Sequence, residues 1–345
     1  MTSPRRQLSV SHMYVIRGAS LTGYVSLVRQ LGGDPQALLR DVGISPHHAG
    51  DPGVLLPAAG VVSAIESAAV ATNTADFGRR LADKHGAEIV APLMVAARSA
   101  TTATEGLAVL GKFAAAHSNG VSLDLLGGPH ADLRFLAVRV VKDPSRPQHH
   151  SIEGSITVAL RVLQAVLGSD FSPRTVHVPH PPLTSPHDYE RFFGCRVLFD
   201  QPVPGLMFTS ADLKRPTRPD APVHDTAVRY LTMLTDKPAF SAEQTVTDVL
   251  KALLPLGTPR IATVARQFNV HPKALQRQLG AEGTTFADVL DRLRRETAER
   301  HLSDVDVSFA ALARQLGYSN QSVFTRACLR WFGRTPSQYR EHRDV

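Results

Sequence analysis

VSFAALARQLGYSNQSVFTRACLRWFGRTPSQYR, residues Val307 to Arg340, carries three helices and the punctuation that separates them. Ser308 stands where a helix N-cap is wanted, and Phe309, Leu312, Ala313 and Leu316 follow at the spacing of one buried helical face. Gly317 supplies the left-handed residue that ends such a helix. Tyr318 makes the turn, and Ser319 is expected to cap a second helix. At about 100° per residue that helix places Val323, Phe324, Ala327, Cys328 and Trp331 on one side, with Gln321, Ser322, Thr325 and Arg326 on the other. Gly333 closes it, and Thr335-Pro336 opens a third helix reaching Arg340. A helix, a tight turn and a helix with amides, hydroxyls and one guanidinium facing outward is the layout of a helix-turn-helix.

The motif occurs twice. Ile261-Ala262-Thr263-Val264-Ala265-Arg266-Gln267-Phe268 aligns with Phe309-Ala310-Ala311-Leu312-Ala313-Arg314-Gln315-Leu316, so alanine recurs at the packed position, followed by Arg-Gln and a large apolar residue. Thr258-Pro259 is expected to start the first copy. Its second helix, Pro272 to Leu279, buries Leu275 and Leu279 and presents Lys273, Gln276 and Arg277. Between the copies Phe286, Val289, Leu290, Leu293 and Leu302 mark one long helix. A run from 286 to 302 spans roughly 25 Å. Such a rod can set two reading helices one duplex turn apart, about 34 Å, so that both enter consecutive major grooves.

These residues resemble the DNA-binding domain of the AraC/XylS family of bacterial transcription regulators. The likeness is carried by Leu275-Gln276-Arg277, Gly283-Thr284-Thr285-Phe286, Ala313, Leu316-Gly317-Tyr318-Ser319, Phe324, Arg326, Trp331-Phe332-Gly333, Thr335-Pro336 and Tyr339-Arg340, across about the last hundred residues. Two departures stand out. His271-Pro272 occupies the place where the family usually caps with Ser, and Cys328-Leu329 replaces an aromatic followed by a basic or polar residue.

Composition sets the frame. A chain of 345 residues is long for one domain and comfortable for two. Its 43% hydrophobic and 20% charged residues are ordinary for a globular protein. The formal charge is only +7, and from 241 onward 15 basic residues face 11 acidic ones, so charge alone does not argue for nucleic acid. Cys195 and Cys328 are far apart and lack ligand-like neighbours, which suits buried thiols in a reducing cytoplasm. The basic Met1-Thr2-Ser3-Pro4-Arg5-Arg6 is followed by no apolar run of signal-peptide type, and no window of about 18 apolar residues suggests a membrane span.

Upstream, residues 1–12 read as disordered. Helices are expected over Leu21 to Leu39, Leu56-Pro57 to Asn73, Asp76 to Lys84, Thr104 to Ala116 and Ser151 to Leu167. Val121 to Leu125 and Ala131 to Val141 form a hairpin about Gly127-Gly128-Pro129, and Arg174 to Val178 is a strand ahead of a proline-rich loop. Arg196 to Phe199 and Gly205 to Phe208 complete the pattern. This order, with Phe192-Phe193-Gly194-Cys195 and Leu206-Met207-Phe208 before Leu213 and Pro216, is similar to the arabinose-binding-type N-terminal domain of one branch of the same family. Pro216, Pro219 and Pro222 mark a linker, Val223 to Leu234 is helical, and Lys237-Pro238 breaks it. Ser241 caps the next helix, with Gln244 as its capping-box partner. The expected fold is thus a mixed α/β N-terminal domain over 13–212, a linker over 213–240 and an all-α C-terminal domain over 241–345. In the last, two helix-turn-helix motifs are joined by a long helix.

Other constellations carry less. Gly106 to Lys112 has phosphate-loop spacing, but Phe113 stands where Ser or Thr must hold magnesium and the segment reads as helix. Ala116-His117-Ser118-Asn119-Gly120 imitates a nucleophile elbow, with helix and strand in the wrong order. His149, His150, His177, His180 and His187 read as exposed loop histidines without metal-ligand spacing. Arg292, Arg294 and Arg295 read as a solvated helix face, paired locally with Glu296 and Glu299.

The resemblance implies a sequence-specific regulator that binds double-stranded DNA. Lys273, Gln276 and Arg277 would read one groove segment, and Gln321, Ser322, Thr325 and Arg326 the next. Guanidinium suits guanine O6 and N7, and carboxamide suits adenine N6 and N7. The resemblance further implies an N-terminal module that binds a small-molecule effector and dimerises, with RNA polymerase as a partner. No cofactor, metal or catalytic residue is expected. A repair enzyme fused to such a module is the competing reading; it needs a reactive or zinc-bound cysteine cluster, which two isolated cysteines do not supply.

Overall fold

The computed structural model describes residues 13–85, 91–114, 117–141, 147–215, 217, 219–236, 241–254, 257–268, 270–304 and 307–341. The disordered segment expected at 1–12 and the break expected at Lys237-Pro238 lie outside them. The described residues cluster into two compact units, one within Tyr14–Phe240 and one within Ser241–Val345 together with Met13.

The first unit runs β1 (Val15–Arg17), α1 (Tyr24–Gln30), α2 (Pro35–Asp41), β2 (Leu55–Pro57), α3 (Ala58–Ala71), α4 (Phe77–His85), α5 (Ala91–Arg98), α6 (Ala103–Phe113), β3 (Val121–Gly127) and β4 (Leu133–Val140). It continues with α7 (His149–Leu167), β5 (Thr175–His177), α8 (Pro186–Phe193), β6 (Arg196–Leu198), β7 (Gly205–Thr209) and α9 (Ala221–Asp236). β1 and β2 pair antiparallel. The other strands form one sheet in the order β3-β4-β7-β5-β6, antiparallel except for the β5–β6 pair. Ile156, Ala159, Leu160 and Leu163 of α7 are buried in one core with Leu136 and Val138 of β4, Val176 of β5 and Leu206 and Phe208 of β7. The three- to four-residue period of the helix thus meets the two-residue period of the strands. Helix α9 joins the same core through buried Leu231, and His224 Nδ1 lies 2.8 Å from Ala96 O on α5.

Several expectations need correction. The single helix expected from Leu21 to Leu39 is two, because Gly32 turns with φ +80° and Asp34 then caps α2 by accepting from Gln36 N and Ala37 N. Leu56-Pro57 belongs to β2, so the helix expected there begins at Ala58. The proline-rich stretch after β5 gives way to α8, whose first turn Ser185 caps through Asp188 N. His180 is not exposed: it is only 5% accessible, and its ring stacks 4.5 Å from that of half-buried His149. The phosphate-loop imitation lies inside α6. Ser118 is buried, donating from Oγ to Val15 O and accepting from Gly120 N, so its hydroxyl closes a turn.

A polar network ties the helices of this unit together. Arg79 on α4 donates from Nε to Glu153 Oε2 on α7 at 3.1 Å and from Nη2 to Thr184 Oγ1 at 2.8 Å, while its guanidinium lies 3.9 Å from the centroid of the Tyr189 ring on α8. The Tyr189 hydroxyl donates to Glu153 Oε1 and accepts from Leu183 N. Arg79 and Glu153 are 2% and 0% exposed. Burial pushes the Glu153 carboxyl up, against the downward pull of Tyr189 and Arg79.

The second unit is entirely helical among its described residues: α10 (Ala242–Leu253), α11 (Ile261–Gln267), α12 (Pro272–Ala281), α13 (Phe286–His301), α14 (Phe309–Gln315), α15 (Gln321–Phe332) and α16 (Pro336–Glu341). Ser308 caps α14, and Gly317 (φ +67°) and Gly333 (φ +68°) take left-handed conformations after α14 and α15. Three caps differ from expectation. Ser241 accepts from Gln244 N, but Glu282, at the end of α12, takes the reciprocal place: its carboxylate accepts from Ala242 N, Glu243 N and Ser241 Oγ. Gln244 instead turns to Asp248. Thr258 does not start α11, which follows Arg260; its hydroxyl donates to Gly317 O at 2.6 Å. Asn320, not Ser319, caps α15, since its Oδ1 accepts from Val323 N at 3.0 Å. Asn320→Ala is therefore expected to lower stability by about 1 kcal/mol, and Ser319→Ala by a few tenths at most. Urea unfolding of the two variants side by side checks the assignment.

Candidate nucleic-acid interface

Each candidate reading helix is built the same way. In α12, Leu275 and Leu279 are buried while Lys273, Gln276 and Arg277 are exposed. His271 caps it, its Nδ1 accepting from Lys273 N at 3.2 Å, and Pro272 fills the first turn, where a missing N–H costs nothing. The ring nitrogen thus does the work of a capping hydroxyl. In α15, Phe324 and Cys328 are buried in one cluster with Leu312 and Ala313 of α14, Leu316 at its C-cap and Ala298 of α13, and Ala327 is buried as well. Gln321, Ser322 and Arg326 are exposed on the opposite side. Thr325 is half-buried and its hydroxyl donates to Gln321 O at 3.1 Å, so of the seven residues read from the sequence it is the least free.

The side chains of Lys273, Gln276, Arg277, Gln321, Ser322 and Arg326 have no hydrogen-bond or ion-pair partner among the described residues. The arginines around them behave differently. Arg292 pairs with Glu243, Arg330 with Asp291, and Arg340 donates to Leu302 O and Val307 O. Arg294 corrects the reading of a solvated connector face: it is half-buried and donates to Leu316 O and Gly317 O, and Arg295 lies 5.7 Å from the Phe332 ring centroid. Among the described residues no ion pair joins Glu296 or Glu299 to these cations. Carbonyl acceptors supplied by a distant turn leave no trace in the spacing of charges, which is why the sequence concealed the role of Arg294.

Between α12 and α15, α13 has 16 residues and therefore a length of about 24 Å. Thr285 and Asp288 close a capping box at its start. The two cysteines are poor nucleophiles, since burial pushes the Cys195 thiol up to about 11 and the Cys328 thiol up to about 12. That leaves the repair-enzyme reading without its reactive group. No helix among the described residues is long and apolar enough to cross a membrane.

An N-terminal arabinose-binding-domain model of AraC transcription regulators matches residues 32–217, and a helix-turn-helix domain model matches 264–342. The chain belongs to the AraC family of transcription regulators, a class that acts by binding DNA and not by catalysis. It is 32% identical over 334 residues to the HTH-type transcriptional regulator VirS of Mycobacterium tuberculosis, across 96% of this chain and 98% of that one. The ornithine utilization regulator of Pseudomonas aeruginosa is 28% identical over 191 residues, which is 55% of this chain and 56% of that protein. The crystal structure of the transcriptional regulator CdpR from Pseudomonas aeruginosa aligns with a TM-score of 0.47 at 20% identity, over 93% of this chain and 96% of that one.

Proposed function

We propose that this regulator reads two successive major-groove segments of one operator. Lys273, Gln276 and Arg277 of α12 face the first, and Gln321, Ser322, Thr325 and Arg326 of α15 the second. The observation that carries the proposal is the pair of exposed polar faces whose charged and amide groups have no partner among the described residues, on helices otherwise fixed by buried leucines and Phe324. A donor with no partner among the described residues gives up no internal hydrogen bond when it turns to a base edge or a phosphate. Arg277 and Arg326 have the fork geometry that suits guanine O6 and N7.

Arg326→Ala is expected to weaken operator binding by about 1–3 kcal/mol and to relax preference at one base pair, and Arg277→Ala to act likewise in the other segment. Selection of a binding site from random duplexes, followed by titration of each variant, tests this. Unchanged affinity and preference in either variant would remove that residue from the reading set. A uniform loss across sequences, with a salt slope smaller by about 1, would reassign it to a phosphate. The N-terminal unit, by its kinship with effector-binding modules of the family, binds a small molecule and pairs two copies of the chain, altering how their reading helices meet paired half-sites and RNA polymerase. Light scattering that finds only monomers at working concentration would remove the pairing.

A further inference from the structure

The turn that launches α15 is held from three sides by groups outside its own helix-turn-helix. Arg294, in the middle of α13, donates from Nε to Leu316 O at 2.9 Å and from a terminal nitrogen to Gly317 O at 3.2 Å. Its guanidinium also lies 4.3 Å from the centroid of the Tyr318 ring. Thr258, ahead of α11, donates to the same Gly317 O. The Gly317 backbone is pressed so close to Gly257 that a Cβ there would stand 2.6 Å from Gly257 O. A second anchor grips the far end of α15: Asp291, one turn before Arg294 on α13, accepts from Trp331 Nε1 at 2.9 Å and from Arg330.

The same connector is tied to the first motif. Arg292 pairs with Glu243 on α10, whose first turn is capped by Glu282 from the end of α12. Arg292 reaches toward the first motif and Arg294 toward the second, two residues apart on one helix. A planar guanidinium bound to two successive carbonyls and laid over an aromatic ring has little freedom to slide, unlike a single lysine–carbonyl contact.

We infer that Arg294 is a positioning residue that fixes the spacing between the two reading helices, so that the protein measures the separation of its two groove segments as well as their sequence. It acts through the Leu316–Gly317 carbonyls and touches no base. The inference rests on the two-segment reading above. Two helices locked in register each lend the other a pre-set position, and loosening the lock costs binding only where both must engage at once.

The test uses the full chain and an operator selected from random duplexes, mapped by hydroxyl-radical footprinting. Duplexes then carry one, two or five extra base pairs between the two protected segments, and a further duplex keeps a single segment. The natural chain should lose affinity about tenfold or more on insertion. Arg294→Met, which keeps the length and apolar stem but no donors, should bind the parent operator about tenfold more weakly. It should also show a flattened dependence on spacing and leave single-segment binding unaltered. Arg294→Lys should recover part of the loss. Arg294→Met with the natural affinity and spacing profile, or with single-segment binding lost to the same degree, overturns the inference. Should circular dichroism show Arg294→Met unfolded, Thr258→Val, which removes one hydrogen bond to the same carbonyl, must show the same flattening or the inference fails. A natural chain that protects only one segment overturns the two-segment reading itself, an outcome visible before any variant is made.

Discussion

Arg79→Ala is expected to destabilise the N-terminal unit by about 3–5 kcal/mol, the usual consequence of stripping one partner from a buried ion pair. Among the described residues Glu153, 0% exposed, would keep the Tyr189 hydroxyl as a donor and the His180 ring 3.7 Å away, which burial holds toward its neutral form. Thr184 and the Tyr189 ring would lose their cation as well. The damage therefore spreads over α4, α7 and α8. Changing both partners, Arg79→Met with Glu153→Leu, should recover most of the loss, because it removes the stranded charge along with the bond. Chemical denaturation of the single and double variants measures this; a loss below about 1 kcal/mol for Arg79→Ala would show that water or protonation relieves the carboxylate. The pair holds tertiary structure in place, and its disruption should reduce the amount of folded regulator without changing which operator is preferred.

The second large effect is expected at Gly317. An alanine there must hold φ +67°, a left-handed conformation costing about 1–2 kcal/mol for a residue with Cβ. Its methyl would also stand 2.6 Å from Gly257 O and 3.2 Å from Leu254 O, backbone atoms that can yield only by moving the turn away from α10. Overpacking of that kind adds about 1–3 kcal/mol. Gly333 is the built-in control: its φ of +68° is nearly the same, and nothing lies within 4 Å of a Cβ at that position. Gly333→Ala should therefore cost only the conformational part, and Gly317→Ala markedly more. Thermal unfolding compares the two directly, and equal losses would mean that the contact with Gly257 is yielding. Operator affinity should fall further in Gly317→Ala than in Gly333→Ala, since only the former shifts the start of α15.

The C-terminal unit was legible because its signals are local and doubled. Ser308, Gly317 and Gly333 act on neighbours within a turn, and the Ala-Arg-Gln pattern of α11 returns in α14. The exposed face of α15 followed from periodicity alone. What escaped depended on partners remote in sequence. β1 and β2 have three residues each, too few to show alternation, and they exist because Val15 and Pro57 meet across 41 intervening positions. His180 reads like any loop histidine until α7 brings Glu153 beside it. Asn320 and Ser319 are both good caps, and only the geometry of the chain entering α15 decides between them. Arg294 stands in a run of charges that looks solvated, since its acceptors are main-chain oxygens carried in by the following motif.

The Glu282 carboxylate also sets where the DNA-reading half can be cut free. It receives two amide protons and a hydroxyl from Ser241, Ala242 and Glu243, so the opening turn of α10 and the exit of α12 form one closed joint. A truncation that begins at or before Ser241 keeps that joint whole. One that begins inside α10 leaves an anion facing nothing and frees the very helix against which the connector is braced.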